Sequence, residues 1–255
     1  MPVPRLTGLR EGPLSLTLVR HGESVGNVAD AKARREHADR LDLDVRDADV
    51  ELSDAGREQA EALRDWLKNA APEERPSVVV SSPYRRAADT ARIAVEGLEG
   101  IEVVFDERLR ERDLGLFDGL TGQGIKDEYA DEAARRSKVG KFYYQPPSGE
   151  SWADVVLRVR SLLSDLRHGF EDERVWLFSH QAVIMSFRYV LEGLSEERLL
   201  EIDRESSLGN VSVTRWTRSE DGLELDVFGD TSIVDAASAD VTREPSVNEQ
   251  APDDE

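Results

Sequence analysis

Short runs of apolar and β-branched residues alternate along this chain with segments of helical periodicity. The first run, LSLTLV at residues 14–19, is too short for a helix and has the composition of a buried strand. The segments PSVVVSSP, IEVVFDERL and ERVWLFSHQ contain further runs of this kind, with helical segments between them. Because a crossover helix returns each strand to the same sheet, this alternation predicts helices on both faces of a largely parallel sheet. We therefore expect an α/β fold, a three-layer α/β/α domain with a mostly parallel central sheet.

Local patterns predict one large domain over residues 14–234, preceded by an N-terminal lead at 1–13. In LSDAGREQAEALRDWLKNA, apolar or small residues at 60, 63, 66, 67 and 70 indicate one face of a helix. The alternating segments NVSVTRWTR and LELDVFGD indicate a hairpin at the sheet edge. Residues 28–51 have little periodicity and are interpreted as an insertion with some helix, of open function. Residues 235–255 carry seven acidic side chains against one arginine, so we expect a disordered acidic tail.

Composition excludes several classes of chemistry and of partner. The chain has no cysteine, which rules out disulfides, thiolate zinc sites and cysteine nucleophiles. With four histidines, a multi-histidine metal site is hard to assemble. A formal net charge of −20 disfavours nucleic acid and anionic membranes as partners. No apolar run is long enough for a membrane span and residues 1–13 lack the apolar core of a secretory signal, so we expect a soluble, cytoplasmic protein, with a homodimer left open.

Polar clusters follow the predicted strands where those strands end. RHGES follows the first strand, SSPYRRA the second, RLRERDLGLFDG the third and SHQAV the fourth. In an open parallel sheet these ends meet at one edge, where ligands bind. Two histidines, two or three arginines and a carboxylate would then share one pocket. Arginine forks and helix N-termini bind phosphate oxygens, so this pocket suits a phosphoryl group.

The motifs VRHGES, SSPYRRAADTA, RLRERDLGLFDG and SHQAVI, in this order, resemble those of the histidine phosphatase superfamily, also called phosphoglycerate-mutase-like. LSDAGREQA also resembles the first-helix segment of that family, and the resemblance covers roughly residues 14–213. It implies the phosphoglycerate-mutase-like version of the α/β/α fold. It also implies a phosphoric monoester hydrolase that needs no metal and no cofactor, because arginines and a second histidine supply the positive charge.

The resemblance implies a role for each matching residue. His21 would be the nucleophile that becomes phosphohistidine, with Arg20 and Arg86 as ligands of the phosphoryl group. His180 would be the second histidine, and Glu111 the carboxylate that serves as proton donor. Positions that touch the phosphate or the substrate are matched by Asn27, Ser24 and Gln181.

Other residues near these motifs have plainer expected roles. Arg85 is the neighbour of the ligand rather than the ligand, because the family pattern Ser-Pro-x-x-Arg-Ala ends its arginine at Arg86. His37 and His168 lie in charged helical segments and are expected at the surface. Aromatic residues expected to serve packing rather than recognition are Tyr143, Tyr144 and Trp152.

Three functions within the resemblance stay open. The chain lacks the Phe-x-Gly-Trp pattern of mutases, which favours a metal-independent phosphomonoesterase acting on small phosphorylated metabolites over a 2,3-bisphosphoglycerate-dependent mutase. GKFYYQPPSGESWADV is similar to a subgroup of broadly acting phosphatases, with Lys141 and Gln145 in place of two arginines. Gln181 resembles the fructose-2,6-bisphosphatase version of its motif, so a sugar bisphosphate is an alternative substrate.

A non-catalytic protein that binds phosphorylated ligands is disfavoured, because every expected catalytic residue is present. Residues that could form a substrate clamp are Arg135, Arg136, Lys138 and Lys141.

Overall fold

The computed structural model describes residues 12–237 and 239–243, and its centre is a six-stranded sheet in the order β3-β2-β4-β1-β5-β6. β1 to β4 run parallel to one another, while β5 is antiparallel to β1 and β6 is antiparallel to β5. The mostly parallel sheet and the edge hairpin of the sequence prediction are both confirmed. The strands are β1 (Ser15–Arg20), β2 (Val78–Ser81), β3 (Val103–Phe105), β4 (Arg174–Ser179), β5 (Val213–Ser219) and β6 (Gly222–Asp230).

Helices cover both faces of this sheet and complete the three layers. On one face α6, α7 and α8 pack against Leu16 and Leu18 of β1, and on the other face α2, α3 and α9 pack on the side of Val19. Successive side chains of a strand point to opposite faces, so a strand buried on both faces reads as a continuous apolar run. The helices are α1 (Val25–Glu36), α2 (Asp54–Asn69), α3 (Arg85–Ala94), α4 (Gly122–Glu128), α5 (Ala130–Val139), α6 (Trp152–Gly169), α7 (Gln181–Glu192), α8 (Glu196–Glu205) and α9 (Ser232–Ala236).

The segment 28–51 lies over the loops that follow the parallel strands. Its helical part is the remainder of α1, which ends at His37 in the left-handed conformation with φ 53°. The amide of Leu41 then donates to the carbonyl of Gly119, in the loop region after β3. A short 3-10 turn at Asp47–Asp49 lies against α3, which follows β2. The insertion therefore covers the edge of the sheet at which the predicted polar clusters meet.

The chain after α9 differs in part from the expected disordered tail. The carbonyl of Asp240 accepts a hydrogen bond from the buried Gln59 side chain at 2.6 Å, and the carbonyl of Thr242 accepts one from the Asn210 amide at 2.9 Å. Residues 239–243 are thus held by hydrogen bonds that the acidic composition did not indicate. The rest of that segment and residues 1–11 of the N-terminal lead lie outside the described residues. No described helix combines the length and the apolar character needed to cross a membrane.

Candidate active site

The strand register brings the two motif histidines side by side. β1 and β4 are parallel neighbours in which Arg20 is opposite Ser179, so the next residue of each strand, His21 and His180, leaves the sheet at the same point. The backbone N–H of His21 donates to the carbonyl of Ser179 at 3.0 Å. The two imidazole ring centroids are 5.1 Å apart, and the residues are only 3% and 0% exposed. Two residues far apart in the chain therefore form one buried pair.

One hydrogen bond sets the tautomer of the His21 ring. Nδ1 of His21 lies 2.7 Å from the carbonyl oxygen of Gly22. A carbonyl oxygen can only accept, so Nδ1 carries the proton and the neutral ring has its lone pair on Nε2. Burial lowers the pKa of His21 well below 6.5, and the nearby charges of Arg86 and Arg20 lower it further, against the opposing Gly22 hydrogen bond. The ring is therefore neutral at physiological pH, with its lone pair on Nε2.

His180 is held by a serine from the neighbouring strand. Its Nε2 lies 2.9 Å from Oγ of Ser82, which follows β2, and the Tyr84 ring meets it edge-on at 5.5 Å between centroids. Its Nδ1 is buried and has no hydrogen-bond partner among the described residues. Burial lowers the pKa of His180 well below 6.5, and the charge of Arg86 adds to this effect. A buried polar nitrogen without a partner is one that a bound ligand can satisfy.

Two arginines stand beside the imidazole pair. Arg20 is fully buried at the end of β1, and its Nη1 donates to the carbonyl of Leu208. Arg86, in the first turn of α3, is 5% exposed and makes a bidentate ion pair with Asp47. Arg85 points elsewhere and pairs with a carboxylate outside this group, Glu51, at 2.5 Å. The structure thus brings Arg86 to the histidines and leaves Arg85 outside.

Glu111 lies in the loop after β3, within electrostatic range of Arg86. Burial raises the pKa of its carboxyl, while the hydrogen bond from the Arg112 amide and the charge of Arg86 oppose that change. The amide contact is 2.7 Å long. The backbone of Glu111 is held by Arg158, whose Nη2 donates to the Glu111 carbonyl at 3.3 Å. The carboxyl therefore keeps its proton to a higher pH than an exposed glutamate would.

Ser24 and Asn27 organise the start of α1. The Ser24 hydroxyl accepts from the Asn27 amide at 3.1 Å, and the Asn27 side chain accepts from the Ser24 amide at 2.9 Å, which is a capping box. Asn210, which no sequence motif indicated, lies 3.4 Å from the Asn27 side chain and donates to the His21 carbonyl at 3.0 Å. The two predicted ligand residues thus join a network that fixes the backbone of His21. Their contact with a ligand stays a prediction.

Two glycines let the loop after β1 sit directly on α2. A Cβ on Gly56 would lie 1.9 Å from the carbonyl oxygen of Glu23, and a Cβ on Gly22 would lie 2.5 Å from the carbonyl oxygen of Gly56. The amide of Glu23 also donates to the side chain of buried Gln59 at 2.9 Å. Gly56 and Gln59 are the Gly and Gln of the LSDAGREQA segment. That segment therefore packs against the loop that carries His21 and supports its backbone.

A second group of cations lies next to the histidine pair. Nζ of Lys141 pairs with the Asp203 carboxylate at 2.7 Å, and the same carboxylate accepts from Gln181, the residue after His180, at 3.2 Å. Lys141 and Arg112 lie over the Trp152 ring, at 5.6 and 5.9 Å from its centroid. Burial lowers the pKa of both cations. We refer to Arg112, Lys141, Trp152, Asp203 and Gln181 as the Trp152 cluster.

The four predicted clamp residues divide between this cluster and the surface. Besides Lys141, Arg136 lies close enough to lower the pKa of Arg112 through its charge. Arg135 instead pairs with Glu132 on its own helix at 3.6 Å, and Lys138 is exposed. Residues that sequence reasoning missed are Ser82, Asn210 and Asp47. Only Ser82 had a signal, since it stands inside the quoted SSPYRRA motif.

The sequence of this chain matches a known protein family and several known proteins. The sequence model of the family described as the histidine phosphatase superfamily (branch 1) matches residues 16–231. Glucosyl-3-phosphoglycerate phosphatase of Mycolicibacterium vanbaalenii is 32% identical over 177 residues, which cover 67% of this chain and 73% of that protein. Bifunctional protein Rv2228c of Mycobacterium tuberculosis is 32% identical over 195 residues, 74% of this chain but 47% of that protein. The chain thus spans about half the length of the first curated relatives it matches.

Solved structures agree with that assignment. The structure of a mycobacterial glucosyl-3-phosphoglycerate phosphatase with VO3 superposes with a TM-score of 0.67 at 30% identity, covering 84% of this chain and 98% of the other. An α-ribazole-5′-P phosphatase structure from Escherichia coli, at 20% identity and a TM-score of 0.69 over 86% of this chain and 97% of the other, shares the fold. With the family match extending from β1 to the start of α9, the chain belongs to the histidine phosphatase superfamily.

Proposed function

We propose that this protein is a metal-independent phosphomonoesterase that hydrolyses small phosphorylated metabolites through a phosphohistidine at His21. The observation that carries the proposal is the Nδ1 contact of His21 with the Gly22 carbonyl at 2.7 Å, which leaves Nε2 free for attack. Buried Arg20 and Arg86 flank the ring with positive charge. A formal net charge of −20 supports a small-molecule substrate rather than nucleic acid.

The proposed reaction has two steps. In the first, Nε2 of His21 attacks phosphorus, the P–O ester bond breaks, and Glu111 gives its proton to the leaving oxygen. In the second, a water oxygen attacks the phosphohistidine, Glu111 takes a proton from that water, and the P–N bond breaks to release inorganic phosphate. The pKa of Glu111, raised by burial, supports its action as the acid of the first step.

The buried cations have a separate part in this scheme. We infer that Arg20, Arg86 and the unsatisfied Nδ1 of His180 would bind a phosphoryl group on His21, since both arginines act on the His21 ring through their charge and the His180 ring centroid lies 5.1 Å from it. Donors that are already in place stabilise the charge of the transition state without reorganisation, and loss of one typically costs about 10²- to 10³-fold in rate. Ser82 would keep the His180 ring in its orientation. These contacts support roles for all three groups as phosphate ligands.

A second acidic group on the substrate is favoured by the Trp152 cluster. Two partly desolvated cations, Lys141 and Arg112, lie over the Trp152 ring, and the buried Asp203 carboxylate pairs with Lys141, while Glu111, Asp203 and Glu150 all act on Arg112 through their charge. Such a site suits a carboxylate or second phosphate on the substrate, as in a sugar bisphosphate or a phosphoglycerate. Relatives include a glucosyl-3-phosphoglycerate phosphatase and, at 30% identity, a 6-phosphofructo-2-kinase/fructose-2,6-bisphosphatase. A panel of mono- and bisphosphates, scored by phosphate release, separates these classes.

Mutase activity is the remaining alternative. A 2,3-bisphosphoglycerate-dependent phosphoglycerate mutase of Methylorubrum populi is 28% identical over 198 residues. With 3-phosphoglycerate as substrate, a phosphatase releases free phosphate, whereas a mutase forms 2-phosphoglycerate. We expect free phosphate, and accumulation of 2-phosphoglycerate without phosphate release would contradict the proposal.

The nucleophile is tested directly with an aryl phosphate. The wild-type protein should hydrolyse it in the presence of EDTA, and a quenched sample should carry one acid-labile phosphoryl group by intact mass. His21→Ala should lose both the activity and the added mass. His168→Ala is the matched control, because His168 is exposed and its ring contacts the Ser164 carbonyl of its own helix. Hydrolysis at the wild-type rate by His21→Ala would remove the proposed nucleophile.

A further inference from the structure

Arg86 already holds an anion in this structure. Its Nη1 donates to the backbone carbonyl and to Oδ1 of Asp47 at 2.7 and 2.8 Å, and its Nη2 donates to Oδ2 at 3.2 Å. Arginine binds a phosphoryl group in the same bidentate way, with two N–H groups directed at two oxygens. Three of the five N–H donors of the guanidinium are directed at Asp47. The carboxylate therefore stands where a phosphate oxygen pair would be expected.

Asp47 is the more solvent-accessible partner of this ion pair. The side chain of Arg86 is 6% exposed and that of Asp47 is 38% exposed. His21 and His180 are almost fully shielded from solvent. The Asp47 carboxylate is thus more open to solvent than the guanidinium with which it pairs. Its negative charge repels a phosphate, and it also acts on the catalytic acid, since its charge raises the pKa of Glu111 after the larger effect of burial.

We propose that Asp47 is an intramolecular competitor of the substrate phosphoryl group. It occupies Arg86 while the site is empty and leaves when a phosphoryl group binds. This inference rests on the proposed function, in which Arg86 is a phosphate ligand. Two consequences follow for specificity and turnover. A substrate needs contacts beyond its phosphoryl group to displace the carboxylate, and inorganic phosphate, which lacks them, is released as Asp47 returns.

The local structure allows this exchange without disturbing the core. Asp47 begins a three-residue 3-10 turn whose N-cap, Arg46, makes no side-chain capping bond. Arg46 pairs instead with Asp49 at 2.7 Å, and both side chains are largely exposed, at 81% and 50%. The turn is anchored on its C-terminal side by Val50, which is buried. The turn can therefore move about that anchor while the sheet and α3 stay in place.

A structural role for Asp47 predicts the opposite sign of effect. If the carboxylate served to orient Arg86 for phosphate, its loss would weaken phosphate binding. If it competes with phosphate, its loss strengthens binding. Asp47→Asn keeps the shape and removes the charge, and Asp47→Ala removes both oxygens as an independent second variant. Asp49→Asn is the matched control. It removes a carboxylate from the same turn, but that carboxylate pairs with Arg46 rather than with Arg86.

The experiment measures binding of inorganic phosphate by calorimetry and the KM for an aryl phosphate, for the full chain and these three variants. We expect Asp47→Asn and Asp47→Ala to lower the Kd for phosphate and the KM by about three- to tenfold, the effect of removing a partly exposed competing ion pair. Asp49→Asn should match the wild type. Unchanged or weaker phosphate binding in both Asp47 variants, with wild-type hydrolysis intact, would overturn this inference alone. If no protein bound phosphate or hydrolysed the ester, the proposed function would fail and this inference with it.

Discussion

Acidification should destabilise this fold through its two buried imidazoles. The pKa values of His21 and His180 are held well below 6.5, first by burial and then by the charge of Arg86. In the unfolded chain each ring takes up a proton as the pH falls through about 6.5, whereas in the folded protein each ring stays neutral. The unfolded state then binds more protons than the folded state. The free energy of unfolding therefore falls as the pH drops below about 6.5, and the full contribution is present above that pH.

The size of the effect follows from the proton linkage. Between pH 7.5 and pH 5.5, a ring that is neutral throughout in the folded state loses about 1.4 kcal/mol of stability. Two such rings lose about 2.7 kcal/mol. A pair that took up one shared proton in the folded state would lose about half of this amount. The raised pKa of Glu111 acts in the opposite direction, because its folded carboxyl keeps a proton that the unfolded chain releases above pH 4.5.

Urea unfolding at the two pH values, for wild type and variants, isolates the contribution of the rings. His21→Asn retains a donor for the Gly22 carbonyl, and His180→Gln retains a polar group near Ser82. Each substitution should reduce the loss of stability between pH 7.5 and 5.5 by about 1.4 kcal/mol, and the double variant by about 2.7 kcal/mol. His168→Asn, at the surface, should leave the loss unchanged. The reasoning is refuted if the double variant loses as much stability as the wild type over this interval.

Three further substitutions test the geometry of the site. Gly56→Ala places a Cβ against the Glu23 carbonyl and should lower kcat/KM for an aryl phosphate by at least about tenfold with the fold retained by circular dichroism, whereas Gly169→Ala, with open space around it, should match the wild type. Ser82→Ala removes the partner of the His180 ring and should lower kcat by about tenfold; a wild-type kcat would contradict a positioning role. Glu111→Gln should slow hydrolysis of alkyl phosphates by about 10²-fold and of aryl phosphates much less, because a phenolate leaves without a proton; equal losses for both esters would argue against proton donation.

Much of the fold and of the candidate site follows from local sequence. The buried strands β1, β2 and β4 read as apolar runs, and so does β3, although it lies exposed at the sheet edge. Amphipathic helices between them predict a covered parallel sheet, so β1 to β4 could be identified before any contact was known. The carboxyl ends of such strands meet at one edge. That rule alone predicts that His21 and His180 approach each other, and the family resemblance singled out Arg86 over Arg85. The roles of these residues in catalysis stay predictions.

Contacts between distant segments depend on the tertiary structure. The order β3-β2-β4-β1-β5-β6 makes β4 the neighbour of β1, and only this pairing sets the 5.1 Å separation of the imidazole centroids. The bond of Ser82 to His180, the bond of Asn210 to His21 and the docking of residues 239–243 have no local signal, because each joins positions separated by long stretches of chain.

The pairing of Asp47 with Arg86 shows the same division most clearly. The segment 28–51 has too little periodicity for its path to be predicted, and a carboxylate in a charged stretch reads as a solvated side chain. Its path over the sheet edge, and the buried guanidinium that it meets there, arise from packing against loops after three different strands. Sequence thus determined which chemical groups the site contains. Tertiary structure decided which of them touch, because a side chain's partners depend on where the rest of the chain folds around it.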